Sequence, residues 1–178
     1  PITHLGFEVP RLPEPRPDGH GGHDLRTSSE PLPASPASVA GYSGLWLSRY
    51  EYYSSSRGDS LADLRYVVVI QHGDRLTVRG LPGASTSQLT MDLTVDAAVV
   101  TGTWVEQTET HGYYKGARYH GAIQMLADPT GRRMTGKWVG FGKALEINSG
   151  PWELAFMDAS TSRATLERYS ANPATQTP

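Results

Sequence analysis

In the segment Leu89-Thr90-Met91-Asp92-Leu93-Thr94-Val95 every second residue is apolar. Successive side chains of a strand point to opposite faces, so this pattern makes one face fit for a core and one fit for water. Wound as a helix, the same residues would scatter their apolar groups around the axis. Alternation of this kind recurs at short intervals and predicts eight strands, at about 44–53, 64–72, 75–80, 87–95, 98–107, 116–127, 133–141 and 150–157. Turn chemistry marks the breaks: His72-Gly73-Asp74, Leu81-Pro82-Gly83, Asp128-Pro129-Thr130-Gly131 and Asn148-Ser149-Gly150. Asp96-Ala97 is a weaker turn signal. Only 160–169 reads as helix, with Ser160 or Thr161 as its cap. Eight short strands without helical crossovers predict an all-β fold, an eight-stranded antiparallel up-and-down barrel, because closure removes the exposed edges of a meander. A sandwich is the alternative arrangement.

The flanks read differently. Residues 1–40 hold eight of the 13 prolines, in clusters such as Pro13-Glu14-Pro15-Arg16-Pro17. Between them stand Gly, Ser, Ala and charges, too little apolar surface to offset the entropy of ordering. The expected organisation is a flexible Pro-rich linker over 1–40, a β-barrel domain over 41–169 and a disordered tail over 170–178. A nonspecific protease is therefore expected to trim the first 40 residues and leave a core near 41–169. Survival of the arm over the same time course would refute the linker reading.

Charge and cysteine content narrow the function. Of 18 acidic and 16 basic side chains, five and three lie in residues 1–40, leaving thirteen of each in the remainder. A neutral domain without a Lys/Arg run is poorly equipped to neutralise phosphates, so direct nucleic-acid binding is not expected, nor is docking to an anionic membrane surface. No apolar run reaches membrane-spanning length. The chain has no Cys, which excludes disulfides and thiolate chemistry and fits a cytoplasmic location. It opens on Pro1-Ile2-Thr3-His4 with neither an initiator Met nor a secretory pattern, and is expected to be a fragment or processed chain.

All four tryptophans share one local pattern: Ser43-Gly44-Leu45-Trp46, Thr101-Gly102-Thr103-Trp104, Thr135-Gly136-Lys137-Trp138 and Ser149-Gly150-Pro151-Trp152. Residues two apart in a strand share a face, so each Gly lies beside its Trp, lets the strand bend and leaves room for an indole. If both face inward, strand parity follows. Trp46, Ser48, Tyr50 and Tyr52 point inside, as do Trp104 and Glu106. So do Tyr119, Gly121, Ile123 and Met125, then Met134, Gly136 and Trp138, then Trp152, Leu154 and Phe156. Arg49, Glu51, Arg118, His120 and Gln124 point out. Glu106 is then the only carboxylate expected inside, either as a perturbed functional group or at a barrel mouth against a Tyr. The aromatics either fill the barrel or line a pocket.

Gly44-Leu45-Trp46 on the first strand of an eight-stranded meander resembles the signature of calycins, the lipocalin and avidin-like barrels that bind small ligands. A broader resemblance covers 42–169. Gly44 to Tyr53, Thr101-Gly102-Thr103-Trp104, Tyr119-His120-Gly121-Ala122 and Gly136-Lys137-Trp138-Val139-Gly140-Phe141-Gly142 are similar to the C-terminal β domain of actinobacterial XRE-type helix-turn-helix regulators. That resemblance implies a linker and an N-terminal DNA-binding domain in a longer parent, so that DNA is met through a domain this chain lacks.

Other signals carry less. Arg57-Gly58-Asp59 spells an integrin tripeptide in an expected exposed loop, 54–63, but lacks a secreted context. His20-Gly21-Gly22-His23 offers two metal ligands on a flexible hinge. His72, His111 and His120 stand at no telling spacing from an acid or nucleophile. No phosphate loop or nucleophile elbow occurs. The expected function is thus a non-catalytic sensing domain of a bacterial transcription regulator, with no catalytic residue, metal or cofactor. A small-molecule effector would sit among Trp46, Tyr50, Tyr52, Trp104, Glu106, Tyr119 and Trp138. Two alternatives stand beside it: a calycin-like carrier of haem or a hydrophobic molecule, and an enzyme using Glu106 as acid or base.

Overall fold

In this computed structural model the described residues are 41–54, 59–82, 86–112, 115–142 and 146–170. Eight strands follow in chain order: β1 Gly44–Ser54, β2 Asp59–His72, β3 Arg75–Gly80, β4 Gln88–Asp96, β5 Val99–Gln107, β6 Arg118–Ala127, β7 Arg133–Phe141 and β8 Ile147–Asp158. Each pairs antiparallel with the next, and β8 returns to β1 from Tyr50–Trp152 to Leu45–Asp158, closing an up-and-down barrel. Closure gives every strand a partner on each side, which removes the fully open edges of a meander. The expected arm 1–40 and all but Ser170 of the expected tail 170–178 lie outside the described residues, and Ser170 caps the helix, its hydroxyl donating to the Leu166 carbonyl at 2.7 Å. Among the described residues no helix is long and apolar enough to cross a membrane.

The period-2 pattern does what it should. On β4, Leu89, Met91 and Leu93 are buried while Thr90 and Asp92 are exposed. The expected inward set on β1, β5, β6, β7 and β8 is the observed one, and Trp46, Trp104, Trp138 and Trp152 all enter a single core with Val67, Val69, Val78 and Leu154. The turn at Asp128 is held by its own carboxylate, which accepts from the Thr130 hydroxyl at 2.6 Å and from the amides of Arg132 and Arg133 at 2.9 and 3.0 Å. This Asx geometry holds the Asp128 carboxyl below the usual range, the Thr130 bond contributing most.

Three expectations are corrected. β2 starts at Asp59 rather than 64, so the stretch expected as loop 54–63 is largely strand, paired to β1 from Tyr53–Ser60 through Tyr50–Asp63. Its polar composition hid it: Asp59, Ser60 and Asp63 carry no apolar alternation. Asn148-Ser149-Gly150 is also strand, paired to β7 at Gly140, Val139 and Trp138. Gly150 is there for close approach. A Cβ at that position would overlap the Glu51 carbonyl and stand 2.9 Å from the Trp138 indole nitrogen. Finally the helix, α1, spans Arg163–Tyr169, and Ser162 caps it, its Oγ accepting from the Thr165 amide at 3.3 Å.

α1 explains why β1 and β2 are apolar on both faces. Leu45, Tyr66 and Leu81 point out of the barrel yet are buried, because Leu166 and Tyr169 of α1 pack in the same cluster with Leu47 and Val68. The Tyr66 and Tyr169 rings meet edge-on at 4.9 Å. One end of the barrel, where β1 begins and β8 ends, is stoppered by aromatics. Tyr42 is buried there, its carbonyl accepts from the Trp46 indole at 3.0 Å, and Phe156 meets Trp46 edge-on at 5.3 Å. The Arg132 guanidinium covers the Phe156 ring at 3.9 Å, a cation–π contact.

Candidate functional site at the polar end of the barrel

The antiparallel order brings the C-terminal halves of β1 and β5 and the N-terminal halves of β2 and β6 to the opposite end. Inward positions there carry Tyr50 and Tyr52, Asp63 and Arg65, Glu106, and Tyr119. Arg65 is 2% exposed in its side chain, and its burial is offset by acceptors on each of its three nitrogens. Its Nε donates to Asp63 Oδ2 at 2.5 Å and its Nη2 to Glu106 Oε1 at 2.6 Å, with a longer contact of 3.4 Å to the Tyr50 hydroxyl. Nη1 reaches the Ser87 carbonyl at 3.5 Å. Glu106 in turn accepts from the Tyr50 hydroxyl at 2.8 Å and from the Ser87 hydroxyl. Burial pushes the Tyr50 phenol well above its ordinary range, and the Glu106 charge adds to this, so Tyr50 stays a neutral donor. Burial alone would lower the Arg65 pKa; the Asp63 bond and the Glu106 charge outweigh it, so this guanidinium stays charged.

Below this ionic cluster lies a stack of rings. Tyr50 stacks on Trp152 at 4.5 Å, Trp104 meets Trp138 edge-on at 5.5 Å and Trp152 at 5.9 Å, and Tyr52 lies 5.8 Å from Tyr50. Gly140 makes room for this: a Cβ there would stand 2.6 Å from Cζ2 of Trp104. Three of the four indole N–H groups donate to a protein acceptor: Trp46 to Tyr42, Trp138 to the Glu51 carbonyl at 3.0 Å, and Trp152 to the Ser48 hydroxyl at 2.9 Å. The fourth, Trp104, is 6% exposed and its buried N–H has no acceptor among the described residues. Leaving such a donor unpaired costs about 1–3 kcal/mol.

Of the seven residues expected at the site, Tyr50, Tyr52, Trp104, Glu106 and Trp138 are joined by these contacts, and Tyr119 pairs across from Glu106. Trp46 sits at the stoppered end, its ring against Tyr42 and Phe156. Sequence reasoning missed Arg65, Asp63 and Ser87. Glu106 is therefore not the only inward carboxylate; Asp63 shares the interior, opposite Tyr50. Its position was hidden because the more continuous apolar face of β2 is Leu64-x-Tyr66-x-Val68-x-Ile70, which faces out toward α1. A strand start at 59 and the β1–β2 register would have revealed it. His72, His111 and His120 are exposed, with His120 beside Phe141 on the outer surface, so none supplies an axial ligand from inside. Among the described residues no three of His, Asp and Glu converge as metal ligands. Two open depressions lie on the outside. One of about 440 Å³ is lined by Thr101, Ala122, Gln124, Lys137, Val139 and Ser149, the other of about 620 Å³ by Gln88 and Gln107 to His111.

No family model and no curated protein matches the chain. Among solved structures the chain is similar to a tryptophan-to-alanine mutant of transferrin binding protein B, a vaccine antigen from Haemophilus parasuis Hp5. The identity is 11%, the TM-score 0.38, and the match covers 64% of this chain and 26% of that one. The chain thus spans about a quarter of that protein's length. The closed barrel itself is established by the strand register. By topology it is a calycin-like barrel.

Proposed function

We propose that the barrel is a non-catalytic sensing module that binds a small molecule among the aromatics of its polar end, and that it serves a bacterial transcription regulator. The observation that carries the binding reading is the unpartnered Trp104 N–H, buried among rings and two residues from Glu106 on the same inner face. Buried donors in folded proteins find partners, and a ligand bearing an acceptor would supply the missing one. Rings pack around this position, so a ligand reaching Trp104 would displace side chains at the rim, where Tyr52 and Tyr119 are only half-buried. Glu106 is held by Arg65, Tyr50 and Ser87, an arrangement suited to fixing a carboxylate rather than to shuttling a proton. The regulator setting is supported by the sequence resemblance over 42–169, with the Pro-rich arm as tether to a DNA-binding domain.

Titration of the chain with a panel of planar metabolites and hydrophobic dyes is expected to give a saturable change in tryptophan emission for at least one member. Trp104→Phe should weaken that binding about 5- to 10-fold, the worth of one hydrogen bond near 1 kcal/mol. A flat response across the panel from folded protein would refute the reading.

A further inference from the structure

We infer that the polar end of the barrel selects an organic cation: a protonated amine carried on an aromatic body, whose ring face accepts the Trp104 N–H. This rests on the reading that a small molecule binds there and adds the sign of its charge. Among the described residues the buried or part-buried ionised side chains at the inward strand positions of this end are Asp63, Arg65 and Glu106, whose formal charges sum to −1, and exposed Asp59 continues the same face of β2. An inward arginine by itself offers a charge-assisted site for an anion. Here the arginine is already committed. Arg65 is 2% exposed and engages Asp63 through Nε, Glu106 and Tyr50 through Nη2, and the Ser87 carbonyl through Nη1, which leaves an incoming carboxylate no open face of the guanidinium.

The two acids are the more accessible members. Asp63 keeps 23% and Glu106 13% of the side chain exposed, and Asp63 spends one oxygen on Arg65 while its other has no partner among the described residues. An anion entering this end would face two carboxylates, while the inward guanidinium among the described residues is already engaged by them. An ammonium would meet Asp63 Oδ1 directly. The neighbouring rings favour the same sign. Tyr50 and Tyr52 lie side by side, Tyr119 stands opposite Glu106, and the faces of such rings attract cations. The Arg65 guanidinium lies 5.8 Å from the Tyr50 ring centre, so cation and aromatic already share this space.

The test is calorimetric titration of the full chain with three probes of one shape: 2-phenylethylammonium, 2-phenylethanol and phenylacetate. The ammonium is expected to bind about tenfold or more tighter than the carboxylate, with the alcohol between them. Asp63→Asn, checked for folding by circular dichroism, should weaken the ammonium about fivefold or more and leave the alcohol unchanged. Equal binding of all three, or preference for phenylacetate, overturns the cation inference while leaving the binding site intact. Failure of all three to bind overturns the inference, and the panel titration with dyes then decides separately whether any small molecule enters. Should Asp63→Asn not fold, the wild-type preference among the three probes still decides the charge.

Discussion

Gly102→Val is expected to destabilise the barrel by about 3 kcal/mol or more, whereas Ala98→Val changes stability by less than about 0.5 kcal/mol. The reason differs from the crowding beside Trp104 that the sequence suggests. Gly102 pairs with Leu93, and a Cβ on Gly102 would overlap the Asp92 carbonyl oxygen and stand 2.8 Å from the Leu93 Cα. Those atoms are backbone of the adjacent strand and cannot rotate away as a flexible side chain could. Two strands of a strongly curved sheet approach at this point, and only hydrogen fits between them. Ala98 is exposed at the β4–β5 turn. For a domain of this size the difference corresponds to about 10 °C in melting temperature. Thermal unfolding followed by circular dichroism measures it, with Gly102→Ala expected between the two. Equal melting temperatures for Gly102→Val and Ala98→Val would mean that the strands can separate there without cost.

Arg65→Met should be of similar size, about 3–5 kcal/mol, because it leaves Asp63 and Glu106 facing each other without their shared cation. The loss comes mainly from two stranded carboxylates rather than from a lost attraction. Adding Glu106→Gln to Arg65→Met should therefore restore part of the stability, and the double-mutant cycle should show coupling above about 1 kcal/mol. Arg49→Met is the matched control. Arg49 makes a bond of the same length, 2.6 Å to Glu51, but both partners are well exposed, and removing it should cost no more than about 0.5 kcal/mol. Denaturant unfolding of the four variants supplies these values. Additive effects of Arg65→Met and Glu106→Gln would show that the two groups do not share one network.

The sequence by itself pointed to a barrel, with a sandwich as the alternative, and determined the inner lining of β1 and β5 to β8. Period-2 alternation is a local property, and once the Gly-x-Trp pairs are set inward, the inside or outside place of each residue on β1 and β5 to β8 follows from counting by two. Turn residues such as Asp128 and Gly131 act over a few positions and are legible for the same reason. What is non-local was decided only by the tertiary structure. The Arg65 cluster joins β1, β2, β5 and the residue before β4, and its hydrogen bonds span from 2 positions (Arg65 to Asp63) to 56 (Tyr50 to Glu106), so no short window contains it. The facing of β2 was not assigned from sequence, and α1 buries Tyr66 and Val68 on its outward face, so apolar residues there point away from the core. Gly150 read as a turn because glycine serves both sharp turns and close packing, and only the neighbouring strand distinguishes the two. The unpartnered Trp104 N–H depends on the absence of an acceptor in three dimensions, which no residue sequence encodes locally.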